Sequence, residues 1–487
     1  MISRLGATIS RVFERSAPDP FVLAVLLTLV TAVLALTLGT FPGKPDDQSR
    51  VLFLLDSWRA DTGLWRFLTF GMQMCLILVT GHALAASKPV RGLIGVLAGA
   101  PWSGGSAAAM VGLVASVFGL INWGLGLIVG ALLARDVGKS LESRGIRAHY
   151  PLLAAAGYMG LLVWHGGLSG SAPLTMTTRA GAEKVLPASV LERFGQGVPL
   201  RETLFSPMNL IAAAGVLVII PVMLWLLSPG EGQEARGIGA CLGDGRGPSA
   251  SLGSASTDCD HAESGRAQAG ARASSGAAPR TFPDWLHETP WLAWGLGLAF
   301  IAGAVRFASV SGLGRLGLNE INMAMLGLGL LMHASTSSYV RAVEDGARGC
   351  AGVILQFPLY AGIMALLVSS GLIDSFSRAL AEAGNQSTIP LMTYLSAAVV
   401  NMFVPSGGGQ WGIQGPIALD AGAAAGIEPG KMIMAVAYGD QLTNMLQPFW
   451  ALPLLAITGV KAREIVGYTC VVMAAVGVWL GVLLVVF

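Results

Sequence analysis

Hydrophobic positions in this chain come in long, nearly unbroken blocks, with neither the alternation of a half-buried strand nor the single stripe of an amphipathic helix. The blocks run from Phe21 to Gly43, Phe67 to Ser87, Gly105 to Ala134, His149 to Thr178, Ser206 to Leu227, Ile321 to Val340, Gly349 to Ile373, Gln441 to Val460 and Ile465 to Phe487, with a shorter one from Thr289 to Val305. A helix needs ~20 apolar residues to cross a hydrocarbon core of ~30 Å. In lipid every backbone amide must be satisfied within the protein, which leaves helices or a closed barrel, and no block has the period of a barrel strand. The pattern predicts an all-α polytopic membrane protein with about nine transmembrane helices. The first block follows Arg4, Arg11 and Arg15 but is too long for a secretory signal and has no small-x-small cleavage site, so it reads as an uncleaved first helix.

Two blocks are not simple crossings. Gly105 to Ala134 would be ~45 Å long as one helix. It is flanked by Lys88 and Arg91 on one side and by Arg135, Lys139, Arg144 and Arg147 on the other. Positive charge favours one face of a membrane, so both ends belong on that face and the block is predicted to be a re-entrant hairpin over about 105–134, turning near Asn122. A second hairpin is predicted over about 388–421. Its middle reads Val404-Pro405-Ser406-Gly407-Gly408-Gly409, where a proline without an N–H and three glycines interrupt a helix.

These features recur in order. Gln73, Asn122 and Tyr158 in the first half are matched in spacing by Gln356, Asn401 and Tyr438 in the second, and from each tyrosine the two segments align without gaps, Pro173 falling on Pro453. The arrangement predicts two inverted-topology repeats, 1–227 and 286–487. Residues 228–285 between them turn to Gly, Ala, Ser and Arg and read as a flexible polar linker.

Backbone that is not helical at membrane depth is tolerated only where it is buried in protein or lines a wet cavity, so the breaks are candidate binding sites. They are Asn122-Trp123-Gly124, residues 164–171 with Ser169, Gly170 and Ser171, the stretch Ser406-Gly407-Gly408-Gly409-Gln410, and residues 443–448 with Asn444 and Gln447. Half-helix N-termini carry partial positive charge and free N–H groups, which suit a carboxylate. Each residue taken alone can equally be a helix cap or a packing contact. Ionisable side chains at membrane depth are costly and point to function. His82, His165, His333 and Asp440 qualify, with His165 and Asp440 at the breaks as ion-coupling candidates for H+ or Na+.

Composition narrows the class further. Residues are 53% hydrophobic and 12% charged, against roughly 25% charged in soluble domains. A net charge of +2 gives no nucleic-acid footprint. The five cysteines have no metal-ligand spacing, and neither a metal nor a cofactor is expected. Basic residues favour a cytoplasmic N-terminus by a modest margin.

The stretches PDPFVLAVLLT, FGMQM, VTGHALA, INWGLGLIVGA, GGLSGS, ILQFPLYAGI, VPSGGGQWGIQGP and NMLQPFWALP resemble the bacterial short-chain fatty acid transporter family nearly end to end. That resemblance implies uptake of acetoacetate- or butyrate-like monocarboxylates across the inner membrane. It also implies kinship with the anion transporter superfamily built on paired re-entrant hairpins, in which one domain moves past a scaffold. The chain departs from the family pattern at Gln410, where His is usual, at Asp440, where Glu is usual, and at His165, where Gly is usual. These departures bear on ion coupling and substrate preference, not on class. Expected partners are a short-chain carboxylate and the lipid bilayer, and a homodimer is compatible with the class. Two other readings are an intramembrane serine hydrolase using Ser169 of Gly167-Leu168-Ser169-Gly170, a weak motif among 65 glycines, and a passive anion channel.

Overall fold

A computed structural model describes residues 8–9, 12, 20–183, 191, 197–230, 232–242, 282–311, 318–333, 335–382, 385, 387–404 and 406–487. Among these residues the ordered elements are helices, with no strand. Helix α1 (Pro20–Leu38) is followed by α2 (Arg50–Arg59), α3 (Leu68–Ala86) and α4 (Lys88–Gly99).

The first predicted hairpin is α5 (Gly104–Ile121) and α6 (Trp123–Ser143). Helix α5 starts at a reciprocal cap between Ser103 and Ser106 and ends at Asn122, whose backbone swings to φ −157°, ψ 132°. The arms then run antiparallel. A Cβ on Gly126 would stand 2.6 Å from Gly119 Cα, one on Gly130 2.9 Å from Ala115 Cβ, and one on Gly104 2.9 Å from Arg147 O. Both open ends therefore emerge side by side, as the flanking charges require.

The block from His149 to Thr178 is not a single helix. It is α7 (Tyr150–Gly157), two 3-10 turns (Met159–Leu162 and Trp164–Gly166), a turn over residues 167–169, and the short α8 (Ser171–Met176). Gly166, Gly167, Gly170 and Pro173 withhold the side chains and the N–H that would propagate a helix here. Gly130 and Gly157 meet backbone to backbone, as do Gly119 and Gly160, so α7 lies directly against the hairpin.

After α9 (Pro207–Leu227) the expected linker begins with an ordered segment. Tyr150 N donates to Arg236 O at 2.8 Å, Arg236 pairs with Glu464 at 2.9 Å, and Gly239 N, within a helical turn at Ile238–Leu242, donates to Glu142 Oε1 at 2.9 Å. A further turn, Phe282–Glu288, closes the other end, and linker residues 243–281 lie outside the described residues, as does Cys259.

Helix α10 (Pro290–Ser311) extends past the predicted end at Val305 because Arg306 and its neighbours continue the helix. The block from Ile321 to Val340 divides into α11 (Leu318–Met332) and α12 (Thr336–Ala347), with Ser335 capping the second. Helix α12 runs on through a 3-10 turn into α13 (Ala351–Ser369), followed by α14 (Leu372–Glu382). The second hairpin is α15 (Ile389–Asn401) and α16 (Gly407–Ala424), its arms joined by the Gln410 side chain to Ala397 O and by Gln414 to Ser396. Pro405, at its corner, lies outside the described residues. Next come α17 (Pro429–Thr443), a turn at Asn444–Leu446, α18 (Pro448–Thr458) and α19 (Ala462–Val486). The expected block from Gln441 to Val460 is thus broken too.

Among the described residues six helical stretches are long and apolar enough to span a membrane: Phe21–Leu38, Gly104–Ile121, Pro207–Leu227, Pro290–Ser311, Thr336–Ser369 and Ala462–Val486, with shorter apolar helices at Gly71–Leu84 and Ile389–Asn401. Large apolar side chains lie exposed along the outer helices, for example Leu29, Val218, Leu298 and Val482. An apolar exterior around a core that holds buried Asn, Gln, His and Asp is the inside-out arrangement of a protein solvated by lipid.

Candidate functional site

The four interruptions meet at one place. At the first hairpin's tip, Leu120 O accepts from Leu168 N at 2.7 Å and Trp123 N donates to Ser169 Oγ at 3.1 Å, which ties that tip to the first broken helix. Trp123 also packs edge-on against Trp450 at 5.1 Å, reaching the second broken helix. Gly407, at the start of α16, sits against the rings of Trp164 and His165, where a Cβ would stand 2.7 and 3.1 Å away. Asn401, at the second hairpin's tip, donates to Asp440 O, Thr443 Oγ1 and Asn444 Oδ1 at 2.6, 3.1 and 2.9 Å, and its own carbonyl accepts from Gln447.

The two broken helices also support each other. Gln441 Oε1 accepts from His165 N at 3.0 Å and Gly166 N at 3.3 Å. Tyr158 OH donates to Asn444 O and Gln447 O at 2.8 and 3.0 Å. Tyr438 OH reaches Asn209 Oδ1 at 3.0 Å, and Asn209 Nδ2 in turn donates to Gly166 O. The tyrosine of each half thus serves the break of the other. Replacing Tyr158 with Phe strips one donor from two buried carbonyls, a loss of about 1–3 kcal/mol. The expected outcome is a lower apparent Tm in detergent.

His165 and Asp440 face one another at 3.4 Å, Nδ1 to Oδ1, with side chains 0% and 2% exposed. Ala172 N donates to His165 Nε2 at 3.1 Å, so that nitrogen acts as acceptor and the ring proton belongs on Nδ1, facing the carboxylate. Asp440 Oδ2 is buried without a hydrogen-bond partner among the described residues.

The predicted residues divide into those spent on structure and those still open. Asn122 Oδ1 accepts from Gly124 N and Leu125 N, and Trp123 N is used by Ser169, so the start of α6 is capped internally rather than offered to a ligand. Ser406 Oγ caps Gly409 N, and Gln410 bridges the arms of its own hairpin. By contrast, the N–H groups of Ser169, Ser171, Gly407 and Gly408 find no acceptor among the described residues, and nothing lies within 4 Å of where a Gly408 Cβ would stand. Asn444 Nδ2 and Gln447 Oε1 are buried and likewise unpartnered there. Gly170, buried, sets the entry to α8. Away from this centre, His333 bonds Ser338 Oγ and Ala83 O and acts as a strut between helices. Ser169 Oγ engages the Trp123 amide while the His165 ring nitrogens face Ala172 and Asp440, so Ser169 and His165 do not pair as nucleophile and base. The residues that sequence reasoning left out of the site are Gln441 and Asn209. Asn401, Tyr158 and Tyr438 stood out only as spacing landmarks, and their matched positions in the two halves were the available signal.

Over residues 1–487 the chain matches the family described as Short chain fatty acid transporter. It is 36% identical over 480 residues to a relative in Escherichia coli named as a short-chain fatty acid transporter, covering 98% of each chain. A Haemophilus influenzae relative of the same name is 34% identical over 469 residues, covering 96% of each. Among solved structures it is similar to the Alcanivorax borkumensis YdaH transporter, with 17% identity, a TM-score of 0.40 and coverage of 96% of this chain and 98% of that one. It is also similar to Neisseria gonorrhoeae MtrF, with 16% identity, a TM-score of 0.36 and 97% of both chains covered. The protein is a multi-pass transporter and not an enzyme, and it belongs to the short chain fatty acid transporter family.

Proposed function

We propose that this protein is a secondary transporter that moves acetoacetate- or butyrate-like monocarboxylates across the inner membrane by alternating access, coupled to protons. The observation that supports this most is that the breaks carrying four N–H groups without an acceptor among the described residues, those of Ser169, Ser171, Gly407 and Gly408, meet beside the buried His165–Asp440 pair. Helix α16 directs its N-terminus, with a partial charge of roughly +0.5, at this place. Two carboxylate oxygens accept from two N–H groups each, while Asn444 and Gln447 give the far side a polar edge. Trp123, Trp164 and Trp450 furnish an apolar wall for a short alkyl tail.

Charge explains the need for coupling. Moving one negative charge inward against an interior-negative potential costs ~2.3 kcal/mol per 100 mV. One proton carried on Asp440 with each carboxylate removes that cost, because the two together move no net charge across the membrane. The reciprocal service of Tyr158 and Tyr438 supports two inverted repeats, 1–227 and 286–487, whose exchange of roles opens the site to one face and then the other. In this arrangement the hairpins are re-entrant and the N-terminus is cytoplasmic.

Proteoliposomes with an imposed pH or sodium gradient test this reading. The expected result is accumulation of labelled butyrate driven by an inward proton gradient, and acceleration of uptake by unlabelled butyrate inside. Accumulation driven by sodium alone contradicts proton coupling, and the absence of counterflow contradicts a carrier.

A further inference from the structure

The first hairpin's second arm, α6, joins two places of different character. Trp123 at one end belongs to the site just described. Arg135, about 18 Å farther along at ~1.5 Å per residue, lies at the wall of a separate cavity. This cavity, about 580 Å³, opens between α6 and the α3–α4 corner and is lined by His82, Arg135, Asp136, Lys139, Ser140 and Ser143 among others.

Its lining is cationic on balance, with two cations against one carboxylate. Arg135 is partly neutralised by Asp136 at 3.2 Å, with both side chains about one-fifth exposed. Lys139, one turn on, is exposed and has no ion-pair partner among the described residues. Arg144 continues the basic rim, its guanidinium pinned to Gly99 O at 2.9 Å. His82 packs against α12 at Gly346 and closes the back wall. The volume exceeds that of a single short carboxylate several-fold, since one water takes up ~30 Å³ of liquid.

We propose that this cavity is a cationic vestibule which gathers free short-chain monocarboxylates from the aqueous phase at the open end of the first hairpin and feeds them along α6 to the site. The inference rests on the transporter reading above and adds to it the residues that govern capture on one face. A cleft lined by one sign of charge with low-dielectric walls focuses the field and raises the local concentration of the opposite ion, an effect that salt screens over ~10 Å at 0.1 M. Lys139 is the larger contributor, because Arg135 shares its charge with Asp136.

The test is the KM for butyrate measured separately from each face, in right-side-out and inverted vesicles, for the unaltered protein, Lys139→Gln, Arg135→Gln and Lys139→Arg. For Lys139→Gln the expected result is a rise in KM of about five- to tenfold from the vestibule face at low salt, shrinking to less than twofold in concentrated salt, with KM from the opposite face and Vmax unchanged. Arg135→Gln gives a smaller rise of the same kind, and Lys139→Arg restores the native KM. Equal KM on both faces for every variant, or a salt-independent rise, overturns the vestibule. A rise seen only in vesicles that contain anionic lipid also overturns it, assigning the cavity to lipid headgroups instead of free carboxylates. Failure of the unaltered protein to show butyrate counterflow would instead remove the transporter reading itself.

Discussion

Replacing Asp440 with Asn uncouples the protein: under an inward gradient of about one pH unit, butyrate accumulation falls by about tenfold, to the level of equilibration, while butyrate–butyrate exchange persists. One pH unit of proton gradient is worth ~1.4 kcal/mol, or tenfold in concentration, to a carrier that moves one proton per substrate. Asn has nearly the shape of Asp and keeps an acceptor toward His165, so the packing around the pair survives. What disappears is the negative charge and the buried, unpartnered oxygen, Oδ2, to which the proposed mechanism assigns the proton. His165 does not substitute for it, because its Nε2 is engaged by the Ala172 amide. Unchanged accumulation in Asp440→Asn, with normal expression, places the proton elsewhere.

The second large effect concerns assembly. Gly130→Val prevents α7 from seating on the first hairpin. A Cβ at Gly130 meets Gly157 O and stands 2.9 Å from both Ala115 Cβ and Gly157 C, and valine adds two methyl groups beyond that point. Two of these contacts are backbone atoms, which cannot rotate away. Overpacking of this kind costs about 1–3 kcal/mol where neighbours can adjust, and more where they cannot. The expected outcome is loss of the monodisperse peak in size-exclusion chromatography and uptake at background level. Gly295→Ala, where nothing lies within 4 Å of the added Cβ, serves as the control and behaves as the unaltered protein does.

How much of this was readable from the chain depends on the range over which each feature is determined. The turn at Asn122 follows from local signals, basic flanks on both sides of a block too long for one crossing, and α5 and α6 reverse there. The breaks at 164–171 and 443–448 and the one just before Gly407 follow from Gly and Pro content and interrupt helices, whereas Gly407, Gly408, Gly409 and Gln410, expected to lie in a break, form the first turn of α16. The role of Asn122 was less legible. Its residue type suits a ligand contact or a cap equally, and only its position one residue before α6 decides for the cap. Gln441 escaped notice because its partners, His165 and Gly166, lie in the other half of the chain, and no local pattern carries such a pairing. The ordered start of the linker escaped for the same reason, since Arg236 is held by His149, Tyr150 and Glu464, each remote in sequence.

Gly408 offers the most direct measurement of whether a carboxylate binds at the meeting of the breaks. The space around its missing side chain is open, so Gly408→Cys is tolerated there, in a background with the five native cysteines replaced. The rate of modification by a small water-soluble thiol reagent is then followed with and without butyrate. The account predicts that butyrate slows labelling in a saturable way, at concentrations matching its KM, and that chloride does not. A labelling rate indifferent to butyrate at saturating concentration, in a variant that still transports it, would contradict the account.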